Sequence, residues 1–125
     1  MRLEEEIQFQ LFTYLANQYP NVIAISEPSG LRVSMGLARK LKKLRSKHTQ
    51  LDIFIMEPRN GFHALVIELK AKNIYKKDGT LLKNEHLEDQ QRTIDALNKR
   101  GYYATFSVGF SETKKLIDDY LNGNI

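Results

Sequence analysis

Asp52, Glu68 and Lys70 are the residues whose positions call for a chemical explanation. They sit inside two apolar, strand-like runs, Leu51-Asp52-Ile53-Phe54-Ile55 and Leu65-Val66-Ile67-Glu68-Leu69-Lys70. A carboxylate or ammonium in such a run costs desolvation energy unless it is paired or binds a metal. Between the runs, Pro58-Arg59-Asn60-Gly61 reads as the turn of a hairpin.

The pairing register decides whether these charges can meet. A two-residue turn at Asn60-Gly61 with unbroken pairing sets Arg59 against Phe62 and Asp52 against Leu69, which turns Glu68 and Lys70 to the opposite face. A three-residue loop, Arg59-Asn60-Gly61 with Gly61 left-handed, sets Asp52 against Glu68, with Cβ atoms about 4.5–5.5 Å apart. That separation lets two carboxylates share a divalent cation, so the longer loop or a bulge is expected. Hard oxygen donors suit Mg²⁺ or Mn²⁺, and magnesium takes one or two carboxylates alongside water and substrate phosphate. Lys70 projects on the face of Glu68, where its ammonium could hold or deprotonate an attacking water or stabilise charge on an attacked phosphate. The same three side chains also read as an internal ion-pair cluster with no catalytic use.

Asp52, followed after fifteen residues by Glu68-Leu69-Lys70 at the end of an apolar strand, resembles the signature of the PD-(D/E)xK nuclease superfamily. More narrowly, the chain resembles the virus-type replication-repair nuclease (VRR-NUC) family. The supporting features are an acidic N-terminal helix with Gln8, Ser29-Gly30 before a basic helix, and Gln90 with Leu97 and Gly101 spaced behind it. The sequence departs from the family's pattern just before Asp52. Thr49-Gln50-Leu51 stands where members carry Gly-x-Pro, and Arg45 where they carry another glycine, a difference that bears on the loop entering the site more than on the ligands.

The resemblance implies an α/β, restriction-endonuclease-like core, a mixed β-sheet flanked by α-helices. It implies Mg²⁺- or Mn²⁺-dependent DNA cleavage, with Asp52, Glu68 and the Leu69 carbonyl on the metal. Glu4, or else Glu5, reaches the site from the first helix, and Gln90 (with Gln91 as its neighbouring alternative) orients a carboxylate, water or phosphate. Single-domain members of the family resemble structure-specific cleavers of four-way (Holliday) junctions that work as homodimers.

The elements that must position these residues follow from periodicity. Residues 2–18 read as a helix with Leu3, Ile7, Leu11, Tyr14 and Leu15 on one face and Pro20 blocking its continuation. Its acidic start also simply opposes the helix dipole. Residues 21–27 read as a strand whose run Val22-Ile23-Ala24-Ile25 suggests a central, buried place. Pro28 to Leu51 contains no acid, while Arg32, Arg39, Lys40, Lys42, Lys43, Arg45 and Lys47 are basic. A helix here has an apolar seam of Leu37, Leu41 and Leu44 and a cationic face suited to a polyanion such as DNA, or merely solvated. Residues 73–85 read as an exposed loop turning at Asp78-Gly79, whose lysines and Tyr75 could meet a nucleic-acid backbone or base. A helix over 86–100 buries Leu87, Ile94 and Leu97 and stops at Gly101. A strand over 102–108 and a final helix capped by Ser111 complete the order α-β-α-β-β-α-β-α.

The 125 residues suit one domain, and 42% hydrophobic with 27% charged residues is ordinary for a globular protein. No apolar stretch approaches the ~20 residues of a membrane span, and Leu3-Glu4-Glu5-Glu6 is unlike a signal peptide. The lack of cysteine excludes disulfides, thiol catalysis and Cys-ligated zinc, and points to the cytoplasm of a bacterium or phage-infected host. His48, His63 and His86 lack paired ligand spacing and read as surface or packing residues, and no phosphate-binding glycine loop or nucleophile elbow is present. The functional expectation is therefore a metal-dependent DNA nuclease. The alternatives are a nucleic-acid-binding module that keeps the fold without turnover, and a protein-interaction domain with an incidental basic face.

Overall fold

A computed structural model of the chain describes residues 3–26, 34–44, 48 and 51–125, with the side chains of Ala38, Leu41 and Lys42 left aside. The elements are α1 (Leu3–Gln18), β1 (Ala24–Ser26), α2 (Met35–Lys43), β2 (Ile53–Ile55), β3 (Leu65–Lys70), α3 (Glu85–Asn98), β4 (Tyr103–Val108) and α4 (Gly109–Leu121), in the order the sequence predicts. The four strands lie in the order β1-β2-β3-β4, antiparallel except for the parallel pair β3 and β4. That parallel pair follows from α3, since parallel strands need a long crossover, usually a helix.

Alternation along β3 builds two different layers. Leu65, Ile67 and Leu69 join Ile53 and Ile55 of β2, Ile7, Leu11 and Leu15 of α1, and Ile117, Tyr120 and Leu121 of α4 in one aliphatic core. Val66 faces the other way, into a smaller core with Leu51, Ile74, Leu87, Ile94, Ala104 and Phe106 beneath α3. Glu68 and Lys70 share the parity of Val66, so they stand on the α3 side. The α1 helix is fastened to α4 by Asp118, which accepts from the Tyr14 hydroxyl at 2.6 Å, the Tyr19 hydroxyl at 2.7 Å and the Lys114 ammonium at 3.1 Å. This clamp fixes where the acidic start of α1 lies.

The hairpin resolves the register question by the second of the two routes. The turn is the two-residue one, not the three-residue loop. Asn60 and Gly61 both have positive φ, 48° and 85°, as an Asn-Gly hairpin turn demands, and Arg59 and Phe62 exchange backbone hydrogen bonds. A bulge then intervenes. Residues 56–58 oppose only residues 63–64 before pairing resumes at Ile55 and Leu65. Pro58 lies within it, where a residue without an N–H belongs. The shifted register runs through Ile53 and Ile67, and one step further puts Asp52 opposite Glu68.

Several boundaries differ from expectation. The strand β1 is not central: it lies at the edge of the described sheet, with Ile23 and Ile25 exposed, because it pairs only with β2. An apolar run alone could not reveal which strands would lie outermost. In α1, Leu3 is exposed, and Tyr14 is half-buried with its hydroxyl on Asp118. Leu37 in α2 and Leu44 just past its end are exposed, so they form no buried seam. Ser111 does not cap α4. The helix begins at Gly109 behind an N-cap at Val108, which offers no side-chain acceptor, and Glu112 instead reaches back to the Val108 N–H at 2.6 Å. Gly101 does end α3, with φ of 91°, and a Cβ there would meet the His63 ring at 2.8 Å.

Candidate active site

The bulged register brings Asp52 and Glu68 together on the α3 face at the C-terminal end of β3. They stand opposite each other across the ribbon, near enough for the Asp52 charge to act directly on the Glu68 carboxyl, and Asp52 Oδ2 accepts from the Leu69 N–H at 2.8 Å. Lys70 Nζ lies 3.5 Å from Glu68 Oε2 and over the Phe106 ring, 6.0 Å from its centroid. Phe106 is the neighbour of Glu68 on β4. Glu68 is only 4% exposed. Burial first, and the negative charge of Asp52 second, push its carboxyl up to about 9, against which Lys70 pulls only partly.

That shift states what the pair lacks. Burial and the adjacent negative charge both favour the protonated form of the Glu68 carboxyl. A divalent cation would neutralise the same charge and draw on the same oxygens, so the donor set fits Mg²⁺ or Mn²⁺. Among the described residues, no three acidic or histidine side chains converge to hold a metal. Asp52 and Glu68 are thus the two carboxylates here that could share a cation.

An open cavity of about 470 Å³ adjoins this pair through Lys70. Its walls come from three directions: Leu3 and Glu4 at the start of α1, Lys70 to Ile74 at the end of β3, and Asn84, His86 and Leu87 at the start of α3. Glu4 thus shares a cavity with Lys70, while Glu5 does not line it. Asn84 fixes the third wall. Its side chain accepts from the His86 and Leu87 N–H groups at 2.9 and 3.2 Å, starting α3 at this point.

Gln90 lies one turn behind that wall, 3% exposed, with its amide nitrogen 3.1 Å from His86 Nε2. Its Oε1 is buried without a hydrogen-bond partner, the one such side-chain atom among the described residues. Exchanging the amide O and N would still leave one polar atom without a partner among the described residues. Gln91, by contrast, turns to Asp95 at 2.9 Å. His86, read from sequence as a surface or packing residue, stands on the cavity wall with its ring against Gln90. The available signal was the four-residue spacing between His86 and Gln90, which puts them on one helix face.

Of the basic residues of the second helix, Arg39, Lys40 and Lys43 are exposed on α2, and none lines the cavity. Arg32, Arg45 and Lys47, with the side chain of Lys42, lie outside the described residues, as do Ser29-Gly30 and Thr49-Gln50. No helix among the described residues is long and apolar enough to cross a membrane.

No protein-family profile matches the chain, and no curated protein is similar to it in sequence. In three dimensions it is similar to a solved structure titled "VRR_NUC domain protein", with a TM-score of 0.69 over 98% of this chain and 91% of that one, at 21% sequence identity. The two share a fold, which in this chain is a mixed four-stranded sheet flanked by helices.

Proposed function

We propose that this chain is a nuclease of the VRR-NUC family that hydrolyses DNA phosphodiesters with Mg²⁺ or Mn²⁺. The observation that carries the reading is the meeting of Asp52 and Glu68 beside Lys70, produced by a bulge on a fold shared with a VRR_NUC domain protein. Asp52, Glu68 and the Leu69 carbonyl would hold the metal, with Glu4 reaching it through water. When bound, the cation supplies charge to polarise a phosphate and lower the pKa of water.

The chain's own residues do the rest. Lys70, nearly buried against Glu68 and Phe106, is held in one place by them and orients the attacking water or meets the charge that grows on the phosphate. The unpaired Gln90 Oε1 would accept from water; with the amide turned so that Oε1 meets His86, its NH2 would instead donate to a carboxylate or phosphate oxygen. Arg39, Lys40 and Lys43, with Arg32, Lys42, Arg45 and Lys47, supply the cationic surface that holds DNA. We extend the reading to branched substrates such as four-way junctions cut by a homodimer, and to a reducing cytoplasm in which a chain without cysteine loses nothing.

A second reading draws on the Glu68–Lys70 contact and the Asp52–Leu69 hydrogen bond: the charges satisfy one another and the fold serves only to bind nucleic acid. One assay separates the two. Linear duplex, single-stranded, flap and four-way junction DNA are incubated with and without Mg²⁺ or Mn²⁺. The nuclease reading expects metal-dependent cleavage that disappears in Asp52→Ala and Glu68→Ala while DNA binding persists. Binding without cleavage under every metal condition would leave only the second reading.

A further inference from the structure

Beyond β3 the chain forms a tongue, residues 71–84, that the catalytic proposal leaves without a role. Its two limbs pair through a bridge between Tyr75 and Leu81 and through the Leu82 N–H on the Ile74 carbonyl at 2.8 Å. Its tip closes with the Lys76 N–H on Thr80 at 2.7 Å and the Gly79 N–H on Lys76 at 2.9 Å. Asp78 turns back to accept from both the N–H and the hydroxyl of Thr80, at 3.0 and 2.7 Å. At the root, Ile74 is buried in the α3-side core, and Tyr75 is exposed with its hydroxyl near enough to feel the charge of Glu112. The tongue is therefore an ordered two-stranded ribbon.

Its charge is one-sided. Lys72, Lys76, Lys77 and Lys83 are all exposed, the tongue's single acid is Asp78, and among the described residues none of the four lysines enters an ion pair. Its position gives that charge a direction. Both limbs end on the cavity wall: Lys72, Asn73 and Ile74 on one side, Asn84 on the other, next to Lys70 and Glu4. Four lysines on a backbone already pinned by its own hydrogen bonds bind a polyanion without first having to order a loop. A two-stranded ribbon is also of a width that the major groove of B-form DNA admits.

We propose that this tongue is a second DNA-binding element, separate from α2, which lies along a duplex groove and sets Lys76 and Lys77 on backbone phosphates, so that the strand runs on into the Lys70 cavity. The inference rests on the reading of the chain as a DNA enzyme, and it assigns the substrate contact nearest the chemistry to residues 71–84.

The test compares Lys76→Ala/Lys77→Ala with Lys99→Ala/Lys115→Ala, which removes the same charge from the far end of α3 and from α4. A fluorescently labelled short DNA duplex is titrated in chelator over a range of salt, and hydrolysis of bis(p-nitrophenyl) phosphate, which has no polymeric backbone, is followed with Mn²⁺. The tongue variant should bind at least about tenfold more weakly near physiological salt, with the slope of log affinity against log salt reduced by roughly 2, while its rate on the small diester matches the wild type. The control variant should change the slope by much less. Equal slopes for the two variants, or a wild type that binds no duplex at low salt, would overturn the proposal. Loss of all cleavage activity with the slope difference intact would instead remove the nuclease reading and leave the tongue as a binding element.

Discussion

The two faces of the β2–β3 ribbon are made by neighbouring residues of the same short strands, yet they do opposite things. Toward α1 and α4, Ile53, Ile55, Leu65, Ile67 and Leu69 are almost wholly buried among other aliphatic groups. Toward α3, Asp52, Glu68 and Lys70 follow Phe54 and Val66, and a glutamate is nearly as buried as the isoleucine beside it. One face is stabilised by removing apolar surface from water. The other bears a buried glutamate beside a second acid, an arrangement that costs stability. The stable face fixes the strands so firmly that the costly face can be held in a set geometry, which is how folds support reactive sites.

Substitutions on the two faces of this ribbon should break the comparison most sharply. Asp52→Asn, which keeps an acceptor for the Leu69 N–H, is expected to lower metal-dependent cleavage by at least about 10³-fold while leaving the denaturation midpoint unchanged or raised. Ile67→Ala should cost about 2–5 kcal/mol of stability, with the specific activity of the remaining folded protein retained. Urea titrations and initial rates on both variants check this, and similar losses of stability in the two would deny that the faces are specialised.

The pH dependence sharpens the same point. Glu68 titrates near 4.5 in the unfolded chain and is pushed up to about 9 in the fold. Between those values the folded state holds a proton that the unfolded state releases, so stability from this group is complete below the lower value and is lost as pH rises toward the upper one. Metal-free protein should melt at progressively lower temperature across that interval. Mg²⁺ or Mn²⁺ should raise the melting temperature more at the alkaline end, because binding displaces the proton. Glu68→Gln should flatten the pH trend and abolish the metal effect.

Smaller effects are expected at the cavity wall. Gln90→Leu fills its site without an orphaned amide, so it should hold or raise stability and yet slow cleavage roughly 10- to 100-fold, the size of effect common for groups that orient a metal's ligands. His86→Ala should produce a weaker version of the same loss, visible in kcat rather than in DNA affinity. Asn84→Ala removes the acceptor that starts α3 and should cost about 1 kcal/mol, read as a shift in the urea midpoint. Activity near wild type in Gln90→Leu would place the orphaned oxygen outside the chemistry.

The order of elements, the Ile7, Leu11 and Leu15 stripe of α1, the stop of α3 at Gly101 and the presence of a turn near Asn60-Gly61, though not its length, are legible in the sequence, because each depends on residues within a turn or two of one another. Asp52, Glu68 and Lys70 were also visible, as charges in apolar strands. Their meeting was not settled there, since an unbroken register from the same turn separates them. Only the bulge around Pro58, held as the Tyr120 hydroxyl reaches the Glu57 carbonyl at 2.7 Å and Arg59 reaches the Leu121 carbonyl at 3.1 Å, shifts the pairing by one. Those partners come from the far end of the chain. The edge position of β1, the cavity shared by Glu4 and Lys70, and the place of His86 beside Gln90 on its wall are likewise products of packing. The sequence alone determined which residue types and local turns were on hand. The tertiary structure decided which of them face each other, because a side chain's side of a sheet changes with a single residue of register, and that residue was set by contacts from elsewhere.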